Sequence, residues 1–254
     1  MDVITCYKLS PDNQDMQINP DYTVSFDRAE WIIGDFDLVA IEAGAQIAAM
    51  AEASHKGLCV GPTALSNKKA RKNALSRGLD SLTVVMDDSL WNADTNLTAS
   101  ILAAAVRKDQ ECRIVICGEG SADFYYRQTG MQLGELLGWP AINGISKVLE
   151  IGEASVTALR TTEDSVQKIV IPLPAVLSVT ADYAPSRIPT MKDILSAGKS
   201  RWKKLRLKIW AALNRRFRST VSWLPNPGTV RVLSSTRLWM KQLTYSWNIW
   251  LKKA

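Results

Sequence analysis

Short apolar, β-branched runs recur along the first two thirds of the chain about 20 to 30 residues apart, and each is followed by a segment of helical period. This alternation constrains the fold more than any other feature. A strand, a helix and a second strand in the same sense need a crossover, and repeated crossovers build a parallel sheet covered on both faces. Asp2 to Lys8 (DVITCYK) is the first strand, ended by Ser10-Pro11-Asp12-Asn13. Phe36 to Met50 has apolar residues at three- and four-residue spacing behind Asp35 and Asp37, acids that a helix start favours. Gly57 to Val60 reads as a strand, Ala64 to about Arg77 as a helix stopped by Gly78, and Leu82 to Met86 as a strand. Thr95 to Lys108 reads as a helix and Arg113 to Cys117 as a strand, followed after a glycine loop by a helix from Tyr125 to Leu137. Val156 to Thr161 and Val166 to Ile171 flank Glu163-Asp164 as a hairpin, and Pro174 to Val179 is one more strand. The expected fold is α/β, a doubly wound, mostly parallel sheet.

Charge divides the chain in two. Residues 1–198 hold 17 Lys and Arg against all 25 Asp and Glu, whereas residues 199–254 hold 14 basic residues, no acid and six of the nine tryptophans. The expected organisation is an acidic globular domain over 1–198 and a basic, Trp- and Arg-rich tail over 199–254. A hydrophobic content of 46% argues against disorder. Cys6, Cys59, Cys112 and Cys117 form no C-x-x-C pair and read as reduced core thiols. The start MDVITCYK has no signal pattern, and no run approaches a membrane span, so a cytoplasmic protein is expected.

Ligands of open parallel sheets bind beyond the carboxyl ends of the strands. Four loops there carry unusual residues: Lys8 with Pro11-Asp12; Gly34-Asp35-Phe36-Asp37; Val60-Gly61-Pro62; and Gly118-Glu119-Gly120-Ser121 running to Arg127-Gln128-Thr129-Gly130. Glycines 118 and 120 admit close backbone approach, the next helix offers free N–H groups, and Ser121, Thr129 and Arg127 suit phosphate. The same Gly-x-Gly-Ser equally reads as a plain strand cap. It matches neither the dinucleotide fingerprint nor the P-loop. His55, the single histidine, reads as a solvated loop residue, and no catalytic dyad or metal set is visible. A carrier or binding role is favoured over an enzyme.

Five stretches then carry a resemblance: CYKLSPDNQD, FDLVAIEAGAQI, VGPTALSNKKARKNALSRGLDSLTVVMDD, VICGEGSADFYYRQTGMQLGELLGWPAINGISKV and LPAVLSVTADYAPSRIPTMKDILSAGK. In content and order, over about residues 1–199, they resemble the β subunit of electron-transfer flavoproteins, closest to the Fix-type branch of anaerobic and carnitine-linked redox metabolism. The resemblance implies an adenine nucleotide α-hydrolase-like fold and a non-catalytic subunit paired with an α subunit. That pair carries electrons through flavin adenine dinucleotide (FAD), shared with or held by the α subunit. Donors are acyl-CoA or other dehydrogenases, and the acceptor is a quinone reductase or another protein. It also implies AMP, or a second FAD, in the β-subunit cleft. By motif its contacts fall on Cys6, on Gly34, Asp35, Phe36 and Asp37, on Val60, and on the loop Gly118, Glu119, Gly120, Ser121, Ala122, Asp123, Phe124, Tyr125, Tyr126, Arg127, Gln128 and Thr129. Met191, within Ile188 to Ile194, is implied as the partner-recognition residue. Ser10, Arg127 and Gly34-Asp35 depart from the family pattern, and an arginine at 127 favours the longer pyrophosphate of FAD.

After about Lys199 the resemblance stops, where the family continues into a docking arm. Three readings of the tail compete: an interfacial helix from Trp202 to Phe217 for nucleic acid or an anionic membrane, an unusual docking arm, or an out-of-frame arm. The last is preferred and expects no nucleic-acid partner. The runner-up for the whole chain is a non-redox adenine-nucleotide-binding regulatory domain.

Overall fold

The computed structural model describes residues 1–121 and 123–206. In chain order these form β1 (Asp2–Tyr7), β2 (Leu9–Pro11), β3 (Gln17–Ile18), β4 (Val24–Ser25), β5 (Trp31–Ile33) and α1 (Asp35–Met50). Next come β6 (Ser54–Gly61), α2 (Lys68–Leu75), β7 (Ser81–Met86), α3 (Thr95–Val106), β8 (Cys112–Gly118) and α4 (Thr129–Leu137). The rest are β9 (Ala141–Ile151), β10 (Ser155–Thr161), β11 (Val166–Pro172), β12 (Ala175–Val179), α5 (Met191–Ala197) and β13 (Arg201–Arg206).

Nine of these strands form one sheet in the order β11-β10-β9-β12-β8-β1-β6-β7-β13. The seven from β9 to β13 run parallel, and β10 and β11 add an antiparallel hairpin at the far edge. Alternation along β1 sorts its two faces. Val3 and Tyr7 face the side that carries α1 and α2, while Ile4 and Cys6 face the side that carries α3 and α4. The central strands are apolar on both faces because both are covered. Ile114, Ile116 and Leu177 pack with Ala40 and Ile47 of α1, and Val115 and Val176 pack with Ile101 and Leu133 of α3 and α4. Each such fully buried side chain contributes roughly 1.5–3 kcal/mol relative to exposure.

Two expected helices change. The one expected over 64–77 is interrupted at Asn67: Thr63–Ser66 is a short 3₁₀ turn, and the Asn67 side chain then accepts the Lys69 and Ala70 N–H groups and opens α2. The one expected from Tyr125 begins instead at Thr129, because Tyr125 and Arg127 have φ of 50° and 57°, in the left-handed region that no right-handed helix admits. The sheet also continues past residue 198, since Arg201–Arg206 pairs along Ser81–Met86 of β7. Trp202 to Arg206 are thus extended, not part of an interfacial helix. The remainder of that expected segment, and of the tail, lies outside the described residues.

His55 is the clearest correction. It sits inside β6 and is buried, not solvated in a loop. Its Nδ1 lies 2.8 Å from the Gly78 carbonyl, which can only accept, so Nδ1 carries the proton. Nε2, 2.8 Å from Thr5 Oγ1, then accepts from the hydroxyl. Burial pushes the imidazole down to about 4, against the Gly78 bond that favours its charged form. The pair fits under α1 because residue 44 is glycine: a Cβ there would stand 2.2 Å from Thr5 Oγ1 and 2.4 Å from His55 Nε2.

Gly44→Ala is expected to cost about 2–3 kcal/mol of stability, read as a lower denaturation midpoint at unchanged slope. A histidine held neutral contributes stability above its ordinary pKa that is lost as pH falls from about 6.5 to the folded value of about 4. His55→Gln should therefore remove a loss of roughly 3 kcal/mol over that window, using about 1.36 kcal/mol per pKa unit. Equal acid sensitivity in parent and variant would refute the buried neutral imidazole.

Candidate functional site

The chain passes from β1 outward to β6 and β7, then returns to place β8 on the other side of β1. The carboxyl ends of β1 and β8 therefore diverge at a switch point, where an open sheet leaves a crevice. Into it point the start of α1, from the face bearing α1 and α2, and the glycine loop leading to α4, from the opposite face.

Asp37, in the first turn of α1, is buried at this point. Its Oδ2 accepts the Lys8 N–H just beyond β1 at 2.8 Å, and its Oδ1 lies 3.1 Å from where a Cβ on Gly118 would stand. The Phe36 carbonyl oxygen lies 3.0 Å from that same point, so a side chain at 118 would push the end of β8 and α1 apart by a few tenths of an ångström. Burial pushes the Asp37 carboxyl up to about 7, outweighing the Lys8 N–H and charge; the nearby Asp123 adds to the rise. Gly34 caps α1 in extended backbone and its carbonyl accepts the Asp37 and Leu38 N–H groups, while Asp35 is exposed.

The loop from Gly118 to Thr129 is built around aromatic side chains. A Cβ on Gly120 would meet the Tyr125 ring at 2.2 Å, so the glycine gives that ring its place. Tyr125 packs on Phe36 with ring centres 5.2 Å apart, and Phe124 and Tyr126 stack on each other at 5.3 Å with planes 5° apart. All three loop aromatics are exposed. Lys8 Nζ pairs with Asp123 and lies 5.6 Å from the centre of the Phe124 ring. Burial of Asp123 resists ionisation, but hydrogen bonds from Lys8 and Ser121 outweigh it and hold the carboxyl below its usual range. Arg127 lies 3.3 Å from Glu119 and 5.5 Å from the centre of the Tyr125 ring. Glu119 in turn ties the loop to β12, its N–H donating to the Val179 carbonyl and its Oε1 accepting from Ala181 N–H. Gln128 accepts from the Thr95 hydroxyl at 3.2 Å and leaves the first turn of α4 without a side-chain cap.

The structure thus gathers Gly34, Asp35, Phe36 and Asp37 with Gly118, Glu119, Gly120, Ser121, Asp123, Phe124, Tyr125, Tyr126, Arg127, Gln128 and Thr129; Ala122 lies outside the described residues. Cys6 and Val60 stand at the same ends of β1 and β6, but the Cys6 thiol is turned into the core against Cys117. The Cys117 contact and burial together raise the Cys6 thiol well above its ordinary pKa. Met191 stands apart, exposed at the start of α5. Sequence reasoning missed Thr95, whose tie to Gln128 spans 33 residues and leaves no local signal. Among the described residues, no three His, Cys, Asp or Glu side chains cluster as metal ligands, and no helix is long and apolar enough to cross a membrane.

An open, mostly parallel sheet with a glycine loop, an uncapped helix start and a buried carboxyl group at its switch point defines a doubly wound α/β domain with a crevice where such sheets take ligands. The electron transfer flavoprotein domain model matches residues 22–209, and the chain belongs to that family. The match ends ten residues beyond Lys199, so family likeness runs further than the motifs indicated and takes in all of β13.

The fold favours neutral Asp37, so this group's contribution to stability is present in the ordinary carboxylate range and is lost as pH rises to about 7, opposite in sense to His55. A phosphate bound beside it meets a new negative charge over the same rise. Should the crevice take a phosphate ligand, the AMP affinity of the parent relative to that of Asp37→Asn should fall several-fold between pH 6 and pH 8, an effect of about 1 kcal/mol by titration calorimetry, the ratio cancelling the second ionisation of AMP itself at about pH 6. Parallel profiles in parent and variant would contradict this.

Proposed function

We propose that this chain is the β-type subunit of an electron transfer flavoprotein, a non-catalytic partner of an α-type subunit. Its crevice between β1 and β8 holds an adenine nucleotide, either AMP or a second FAD. The observation that carries this reading is the convergence at one point of Gly118, where a Cβ would crowd the start of α1, and the uncapped start of α4. Main-chain N–H groups of that start are donors for phosphate oxygens. Lys8 supplies positive charge on the β1 side, and the exposed rings of Phe124 and Tyr126 offer a stacking surface for a purine. Arg127 is held by Glu119, and binding a pyrophosphate there requires exchanging that partner. The flavin, when bound, supplies reversible redox chemistry; this chain's residues hold and orient it and exclude water.

Electrons then pass from an acyl-CoA or other dehydrogenase to a quinone reductase or another acceptor. Met191, exposed beside Ile188 and Leu195, is the docking residue for the dehydrogenase. In this reading the chain is a carrier without catalytic residues of its own, working in the cytoplasm.

The test is to co-express the chain with an α-type subunit and count the nucleotides released per purified complex. One FAD with one AMP, or two FAD, supports the reading, and the count assigns the crevice occupant. A stable, nucleotide-binding chain that never pairs with an α-type subunit would instead indicate a non-redox nucleotide-binding domain. If Arg127 selects the longer pyrophosphate, Arg127→Asn lowers the share of FAD in that crevice; an unchanged share rejects that role.

A further inference from the structure

Eleven residues without regular structure, 180–190, lead from β12 across the surface to α5. The segment that follows exposes Ile188, Met191 and Leu195 at 90, 74 and 69% of their surface. α5 has seven residues and buries one of them, Ala197. A segment with so little apolar burial is placed by its polar contacts, and such segments open at low free energy. Thr190 and Asp193 close a capping box, but this fixes α5 only to itself.

Tyr183, whose hydroxyl accepts the Val148 N–H at 3.3 Å, anchors the start of the segment and Ala197 packs at its end, while the polar contact that ties its middle to the body is made by Arg187. Its Nε donates to Glu42 Oε2 at 2.6 Å and its Nη2 to Glu42 Oε1 at 3.2 Å, a two-point fork onto a carboxylate that is nearly buried on α1. Gln46, one turn on, donates to the same carboxylate at 3.0 Å and fixes its rotamer. The Arg187 carbonyl accepts from Arg77 Nη1 at 2.6 Å. Residue 78 has φ of +96°, which favours glycine, and a Cβ there would stand 2.9 Å from Arg187 Nη1, which packs over the turn. The Gly78 carbonyl is the one that His55 holds. A chain of contacts therefore runs from Thr5 in β1 through His55 and the Gly78 turn to Arg187, and from there to Glu42 in α1.

We propose that Arg187 is the positioning residue of the docking segment: its fork to Glu42 fixes where Ile188, Met191 and Leu195 stand, so that they meet a partner already ordered. This rests on the reading of Met191 as a docking residue. Fixing a loop in its bound conformation before contact lowers the ordering cost of association, so the fork acts on encounter with the partner and leaves the nucleotide crevice unchanged.

Two variants test it. Arg187→Lys keeps the charge and loses the fork, and Glu42→Gln keeps the shape and loses the charge. In the full chain, amide exchange over 188–197 should quicken by about tenfold in both, with β1 and β8 unaffected. In the complex with an α-type subunit, reduced by an acyl-CoA dehydrogenase and its acyl-CoA, KM for the dehydrogenase should rise about fivefold or more while kcat and flavin content hold. Unchanged exchange in both variants overturns the proposal, as does a fall in kcat or flavin at constant KM. Met191→Ala separates the two ideas. If it raises KM and the fork variants do not, the docking reading stands and the positioning role fails. If it leaves KM unchanged, the docking reading fails and the positioning role fails with it.

Discussion

The buried carboxylate of Asp37 is the constraint on which the crevice depends. A carboxyl group inside a protein is costly to leave without partners and costlier to ionise; here one oxygen accepts the Lys8 main-chain N–H, and burial favours the neutral form up to about pH 7. This bond holds the end of β1 against α1, and the missing Cβ of Gly118 lets β8 close on the other carboxylate oxygen and on the Phe36 carbonyl. The two strands that flank the switch point thereby meet the start of a single helix. Lys8, freed of any main-chain role beyond this, turns its ammonium to Asp123 and so gathers the glycine loop to the same place.

Much of this architecture was legible in the sequence because the central strands are buried on both faces. A strand such as RIVIC has no polar side to alternate with, so β8 and β1 stand out as continuous apolar runs. The glycine loop was legible through close approach alone. The error at Tyr125 shows the limit of periodicity. The apolar spacing of Phe124 to Leu137 imitates a helix, yet Tyr125 and Arg127 are left-handed because their side chains pack on Phe36 and bond Glu119. β9 was overlooked because AINGISKVLEI mixes polar and apolar residues and contains Gly144 at φ 71°, and only its neighbours β12 and β10 make it a strand. His55 was misjudged for the same kind of reason. Its burial is decided by Thr5, Gly44 and Gly78, none of them a sequence neighbour.

The sheet edge opposite the β10–β11 hairpin is where the first residues of the basic segment join the body. Arg201–Arg206 adds a strand to β7, and the Arg71 guanidinium lies 4.0 Å from the centre of the Trp202 ring. Cations on α2 and β13 thus share one margin of an otherwise acidic domain. That margin is remote in the strand order from the switch point, where acidic Asp37, Glu119 and Asp123 surround the crevice. The cationic margin at β7 and β13 and the acidic switch point thus occupy separate parts of the sheet.

The proposed adenine nucleotide would lie between the ends of β1 and β8. The most direct measurement is to irradiate the complex with an azido-substituted AMP and map the modified peptide by mass spectrometry. The account predicts label within residues 119–129 or 34–37, suppressed by excess AMP and lost in Gly118→Ala. Label that AMP suppresses but that maps elsewhere in the chain, with these two segments unmodified, would contradict it.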